Sequence, residues 1–323
     1  MVFDRSNLGR ALYMANRTVI RTFVAVVIGI VTCHSASIMA DELGRGVSVD
    51  DWKGLGILKG GKGYIAAPMG QLHYRDIGPR DDQHPIILLH QSPMSMIEWA
   101  GVQNALAELG IRCITVDTPG YGLSDPPTKQ PSIKDYADNL LALLDALKLT
   151  KVVIGGQHTG AQIAASFTAN HGDRVLALVM HGAAAMSREE ANAYLTNPNK
   201  KARTPLADGS HLTRYFSYVK TNRQDLLDAL TWLTLTSYMQ GPDIGHWAAY
   251  HYDMMLDIPK IKVPVLLLSD TGDAINKMDK RLATARPDFK YVEFSNGNTL
   301  EFMTDPIRWA NIYSTWRAQV VKN

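Results

Sequence analysis

Apolar positions along this chain follow two alternating rhythms. Short, nearly unbroken apolar runs at Pro85–His90, Cys113–Val116, Val152–Ile154, Val175–Met180 and Val263–Leu268 predict strands buried on both faces. Between them, leucines and alanines at i, i+3, i+4 spacing predict helices at Ile97–Leu109, Ile133–Leu147 and Ala161–Asn170. Tyr64–Ala67 and Gln71–Arg75 read as an opening hairpin, Tyr291–Phe294 as a last strand and Pro306–Val320 as a closing helix. Strand–helix alternation of this kind predicts an α/β fold, a mostly parallel eight-stranded sheet with helices on both faces. Residues 183–259 break the rhythm and read as helices only. Inserted between two strands, they would form a helical cap over the carboxyl ends of the sheet, where open α/β folds bind ligands.

The first 40 residues have a different pattern. Arg17 and Arg21 precede an apolar run from Phe23 to Val31, and small residues follow up to Ala40-Asp41. This reads as a signal peptide over residues 1–40, cut after Ser37 or Ala40, and predicts a protein exported to the periplasm or secreted. An uncleaved anchor is the alternative. The run is too short to span a bilayer comfortably, so no stable membrane insertion is expected once the signal is removed. The folded domain is then 41–323, with the cap at about 183–259.

Composition narrows the partners. A net charge of +2 without a long basic run, over 323 residues, gives no nucleic-acid footprint. Of the two cysteines, Cys33 lies in the signal and Cys113 in a predicted strand, so neither a disulfide nor a cysteine-based metal site is expected in the mature chain. His246 and His251 are five apart and do not share a helix face as paired metal ligands would, so no metal or other cofactor is expected. A small-molecule substrate is the expected partner, and oligomeric state is not legible.

Candidate chemistry centres on Gly155-Gly156-Gln157-His158-Thr159-Gly160, between the strand Val152–Ile154 and the helix from Ala161. Glycines two residues either side of one functional side chain describe a nucleophile elbow, G-x-Nuc-x-G. The elbow residue is His158, a type that tolerates positive φ. Leu88-Leu89-His90-Gln91-Ser92-Pro93 looks like an oxyanion loop of the H-G-x-P kind, with glutamine in the glycine slot. Asp117-Thr118-Pro119-Gly120-Tyr121-Gly122-Leu123-Ser124-Asp125 is similar to a D-x-P-G-x-G-x-S loop, and Asp273 stands where an acid follows the seventh strand.

With these parts in order, the chain from about Tyr64 to Val320 resembles the α/β-hydrolase superfamily, in its epoxide-hydrolase and dehalogenase-like branch with a helical cap. The resemblance implies a hydrolase, and the departures fall on the chemistry. The nucleophile position holds His158, and the segment Ser295–Glu301, where the family carries its catalytic histidine, has none. The reading is hydrolysis of a small, mostly apolar carbonyl compound, an ester or lactone, with His158 as general base or nucleophile. A cofactor-independent lyase or oxygenase, or a binding protein with a retired elbow, are the alternatives.

Other candidates arrange themselves around His158. The backbone N–H groups of Gln91 and Thr159 are the expected oxyanion donors. Ser92 either pairs with His158 or is simply the variable residue of its loop, and the second reading is preferred. Asp273 orients His158 or caps a turn. His90 and His181 end strands on the pocket side, where histidines are often structural. The cap supplies Trp247, Tyr250 and His251, spaced for one helical face, to line an apolar lid or to dock the cap.

Overall fold

The computed structural model describes residues 60–196, 207, 208, 210, 231–233, 235, 243–295 and 300–321. The expected signal peptide, most of the stretch between 197 and 242, and residues 296–299 lie outside the described residues. Eight strands form one sheet: β1 (Lys62–Ala67), β2 (Gly70–Ile77), β3 (Ile86–Leu89), β4 (Cys113–Val116), β5 (Val152–Gln157), β6 (Val175–His181), β7 (Val265–Asp270) and β8 (Lys290–Phe294). Their order across the sheet is β1-β2-β4-β3-β5-β6-β7-β8. Strand β2 is antiparallel to both its neighbours, and every pairing from β4 to β8 is parallel.

Burial explains the two sequence rhythms. All residues of β3, β4, β5 and β7 are buried, which is why those runs are apolar throughout. Edge strand β1 alternates exposed and half-buried positions instead. Within each buried strand successive side chains feed different cores. Ile87, Leu89, Ile114, Ile154 and Leu178 pack on one face with α2 (Ile133–Ala146) and α3 (Thr159–Asn170). Ile86, Leu88, Cys113, Val153 and Val179 pack on the other with Val102 and Leu106 of α1 (Ala100–Glu108), Trp99 from the turn before it, and Trp309 and Tyr313 of α8 (Pro306–Val320). Helix α2 begins with a reciprocal capping box between Ser132 and Asp135, which fixes where the helix starts.

Within 183–259 the described residues contain α4 (Arg188–Leu195), α5 (Ile244–His251) and two short 3₁₀ turns, and no strand. Helix α5 is tied to the loop after β4: Gly245 N–H donates to Tyr121 Oη at 2.8 Å, and Gln130 Nε2 donates to Ile244 O at 2.9 Å. The last elements are α6 (Asn276–Ala285), which the sequence reading does not anticipate, and α7 (Glu301–Thr304). Met278 and Leu282 of α6 are buried, a one-face apolar signal that four charged residues in ten dilute. Among the described residues, no helix is long and apolar enough to cross a membrane.

Candidate active site

The elbow is a steric consequence of two glycines. A Cβ on Gly156 would lie 2.5 Å from Gly160 C and 2.6 Å from Leu89 O, and one on Gly160 would lie 2.2 Å from Leu89 O. Strand β5 and helix α3 therefore close on β3, and the chain between them turns through His158 at φ 45° and ψ −109°. For a residue with a side chain this backbone costs about 1–3 kcal/mol, held by its surroundings. Here His158 N–H donates to His181 O at 3.2 Å, and Gln162 N–H donates to His158 O at 3.0 Å to start the helix.

The His158 side chain meets Asp273. Nε2 and Asp273 Oδ2 are 2.7 Å apart, across 115 residues of sequence, because β6 and β7 place the loop after β7 two strands from the elbow. A quarter of the imidazole surface is exposed, against a tenth of the carboxylate. Nδ1 makes no hydrogen bond among the described residues. Burial works to lower the His158 pKa but is outweighed by the charge and hydrogen bond of Asp273, with smaller help from Asp279 and Asp270, so the net shift is upward. For Asp273 burial works upward, and the imidazole's charge and hydrogen bond carry it below the usual carboxylate range. With Asp273 ionised, Nε2 carries the proton and Nδ1 keeps the free lone pair.

The expected oxyanion donors differ from one another. Thr159 N–H opens α3, where helix amides have no partner within the helix, and it makes no hydrogen bond among the described residues. Gln91 N–H instead donates to Glu98 Oε1 at 2.9 Å, and Gln91 Nε2 donates to Oε2 at 3.3 Å. That corrects the expectation of two open amides. Glu98 is 2% exposed, and burial pushes its carboxyl well above its ordinary range against the pull of both Gln91 bonds. A lone Glu in a predicted helix gives no warning of this, since such residues usually face solvent.

The remaining candidates take structural places. Ser92, joined to Pro93 by a cis peptide bond, is buried against α5, with its Oγ only 2.0 Å from where a Gly245 Cβ would stand. Among the described residues no hydrogen bond joins it to His158. His90 accepts from Thr118 N–H at 3.0 Å on Nε2, so its Nδ1–H donates to Gln91 O at 2.8 Å; burial lowers its pKa. His181 accepts from Trp309 Nε1 at 3.2 Å on Nδ1 and stacks on Phe294. Trp247 is 44% exposed and stacks on His251, whereas Tyr250 stacks on His246 and Tyr194, so the expected single face is split in two. Asp117 braces its loop by accepting from Met96 N–H, Leu123 N–H and His73 Nδ1. A groove of about 410 Å³ between β8 and α8, lined by Lys290, Val292, Ile312 and Trp316, contains none of these candidates.

Residues 84–297 match the family model of the alpha/beta hydrolase fold. The chain belongs to the α/β-hydrolase superfamily. It is similar to the AB hydrolase superfamily protein YisY of Bacillus subtilis, 30% identical over 243 residues, covering 70% of this chain and 87% of YisY. It is 32% identical to a haloalkane dehalogenase of Mycobacterium marinum over 155 residues, and so spans less than half the length of that relative, 46%. Among solved structures it resembles the enol-lactonase of Burkholderia xenovorans LB400, with a TM-score of 0.61, 22% identity, and 81% of this chain and 100% of the other covered. A membrane phospholipase A aligns over 94% of this chain and 100% of the other, with a TM-score of 0.68 and 17% identity. The protein is accordingly an enzyme of the superfamily, an α/β-fold hydrolase.

Proposed function

We infer that this hydrolase cleaves a small, mostly apolar ester or lactone, using His158 as a general base. The observation that carries the reading is the His158–Asp273 pair. A histidine on the elbow tip has one ring nitrogen fixed 2.7 Å from a carboxylate and the other without a partner among the described residues. Nδ1 takes a proton from water as the water oxygen attacks the carbonyl carbon, and Asp273 stabilises the imidazolium that forms. The carbonyl oxygen becomes an oxyanion and is received by the open Thr159 N–H at the positive end of α3. Collapse breaks the acyl–oxygen bond, and the leaving alkoxide takes the proton back from Nδ1. Water supplies the hydroxyl group gained by the acid and the hydrogen gained by the alcohol, so no cofactor enters the balance. The enol-lactonase likeness agrees with a carbonyl substrate, and residues 1–40 support export, which signal cleavage and fractionation would test.

The test is a panel of chromogenic esters and lactones, assayed with wild type and His158→Ala from pH 5 to 9. Turnover should follow the basic form of an imidazole and fall by roughly 10²–10⁴-fold in the variant. Turnover unchanged by His158→Ala would sink the reading and move the chemistry elsewhere. Oxygen uptake or proton exchange at carbon, with the panel inert, would replace it by the proton-abstracting alternative.

A further inference from the structure

Asp279 has no role in the chemistry just described, yet it is the most enclosed carboxylate behind it. It projects from α6 and is wholly buried. Its Oδ1 accepts the Ala183 N–H at 2.8 Å and its Oδ2 accepts the Ser269 hydroxyl at 2.7 Å. These bonds fasten two segments that hold the His158–Asp273 pair. Ala183 follows Gly182, which lies so near the imidazole that a Cβ there would stand 2.7 Å from His158 Cδ2. Ser269, which also accepts from Asn276 Nδ2 at 2.9 Å, stands at the end of β7, four residues before Asp273.

The chemical type of the clamp is the second observation. Two neutral donors would be satisfied by an asparagine or a serine at far lower desolvation cost than by a carboxylate. The charged and titratable groups around Asp279 are His158 from the elbow, Asp273 from the loop after β7, and Tyr291 from β8, while Asp270 faces His158. Asn276 comes from its own helix. Arg281, two residues on and so on another side of the helix, is turned away to Ala185 O and Glu190. His158 is thus the cation whose charge Asp279 meets. Burial pushes the Asp279 carboxyl up to about 7, against the pull of Ser269, His158 and Ala183.

We propose that Asp279 is a positioning residue for the reaction at His158, clamping the imidazole's wall to the loop of its acid partner and supplying negative charge that keeps the imidazole basic. This rests on His158 carrying the chemistry, so its test has a readout that needs no turnover. The full chain, labelled at histidine, is titrated by NMR as wild type, Asp279→Asn and Ser269→Ala, alongside kcat and KM against pH. In wild type the His158 curve should show two inflections, because burial pushes the Asp279 carboxyl up to about 7 and the two sites are coupled. In Asp279→Asn one inflection remains, displaced to lower pH; the acid limb of kcat moves with it, kcat falls about tenfold and KM holds. Ser269→Ala removes a bond that favours the ionised Asp279, so it moves His158 in the same direction by less. An Asp279→Asn titration superimposable on wild type overturns the proposal, even where the rate is lost, because a plain brace would do that. If Asp279→Asn does not fold, an unshifted Ser269→Ala overturns it equally. If no ester is turned over, the NMR curves still decide.

Discussion

Two histidines sit one strand apart at the carboxyl end of the sheet, joined by the hydrogen bond from His158 N–H to His181 O, and their surroundings are opposite. His181 is wholly buried, takes the Trp309 indole on Nδ1, and packs against Phe294 and Phe302. Its Nε2 lies 3.2 Å from Asp270 Oδ2, off the line of a hydrogen bond. His158 also faces an aspartate, but it stands on a strained turn, is a quarter exposed, and keeps one nitrogen open. The lesson is that position at a strand end does not make a histidine chemical. Access to one ring nitrogen does, with the other held.

Removing the held nitrogen's partner should have the largest effect on the contrast. Asp273→Asn leaves the shape intact and takes the charge away, so kcat should drop on the order of 10²–10⁴-fold. Because Asp273 raises the His158 pKa, the acid limb of the rate profile should move to lower pH in the variant. Stability gives a second reading of the same pair. The raised His158 contributes stability below its unfolded pKa that is lost as pH rises through the folded one. The lowered Asp273 contributes stability above its unfolded pKa that is lost as pH falls through the folded one. Tm of wild type minus Tm of Asp273→Asn should therefore be greatest between the two ionisations and shrink on either side; a difference flat with pH would break the pairing.

On the buried side the effect should move from rate to stability. His181→Phe keeps the ring stacking but strips the Trp309 N–H of its acceptor, which costs about 1–3 kcal/mol. Urea denaturation should report that loss while kcat per folded molecule stays within about threefold. A collapse of kcat with unchanged stability would mean that the two histidines share the chemistry. The smallest effect is expected at Trp247, which is exposed and, among the described residues, stacked on His251 of its own helix. Trp247→Ala should change stability by less than about 0.5 kcal/mol, and an appreciable rise in KM would return it to the substrate's side.

The sheet and the elbow were legible because each is written in a local signal. Buried parallel strands need unbroken apolar runs, and a turn squeezed against β3 needs glycine at 156 and 160. The surroundings of His158 were only partly legible. Asp273 could be placed after β7 by its motif, but its meeting with His158 is a product of sheet order. Glu98 and Asp279 left no signal at all. Each is an acidic residue in a helix, and it is the folding of the preceding strand end back onto that helix that buries it against Gln91 or Ser269. Helix α6 carries only a weak periodic signal, its buried Met278 and Leu282 being outnumbered by charges.

Asp273 grips Nε2, the ring nitrogen farther from the main chain, and this dictates which isomer any covalent trap must leave behind. An alkylating analogue of the substrate can be attacked only by Nδ1, the nitrogen adjacent to the side-chain stem. Digestion and mass spectrometry of the trapped protein should return the π-substituted histidine at position 158 and none of the τ isomer. In Asp273→Ala, with both nitrogens released, the two regioisomers should appear together.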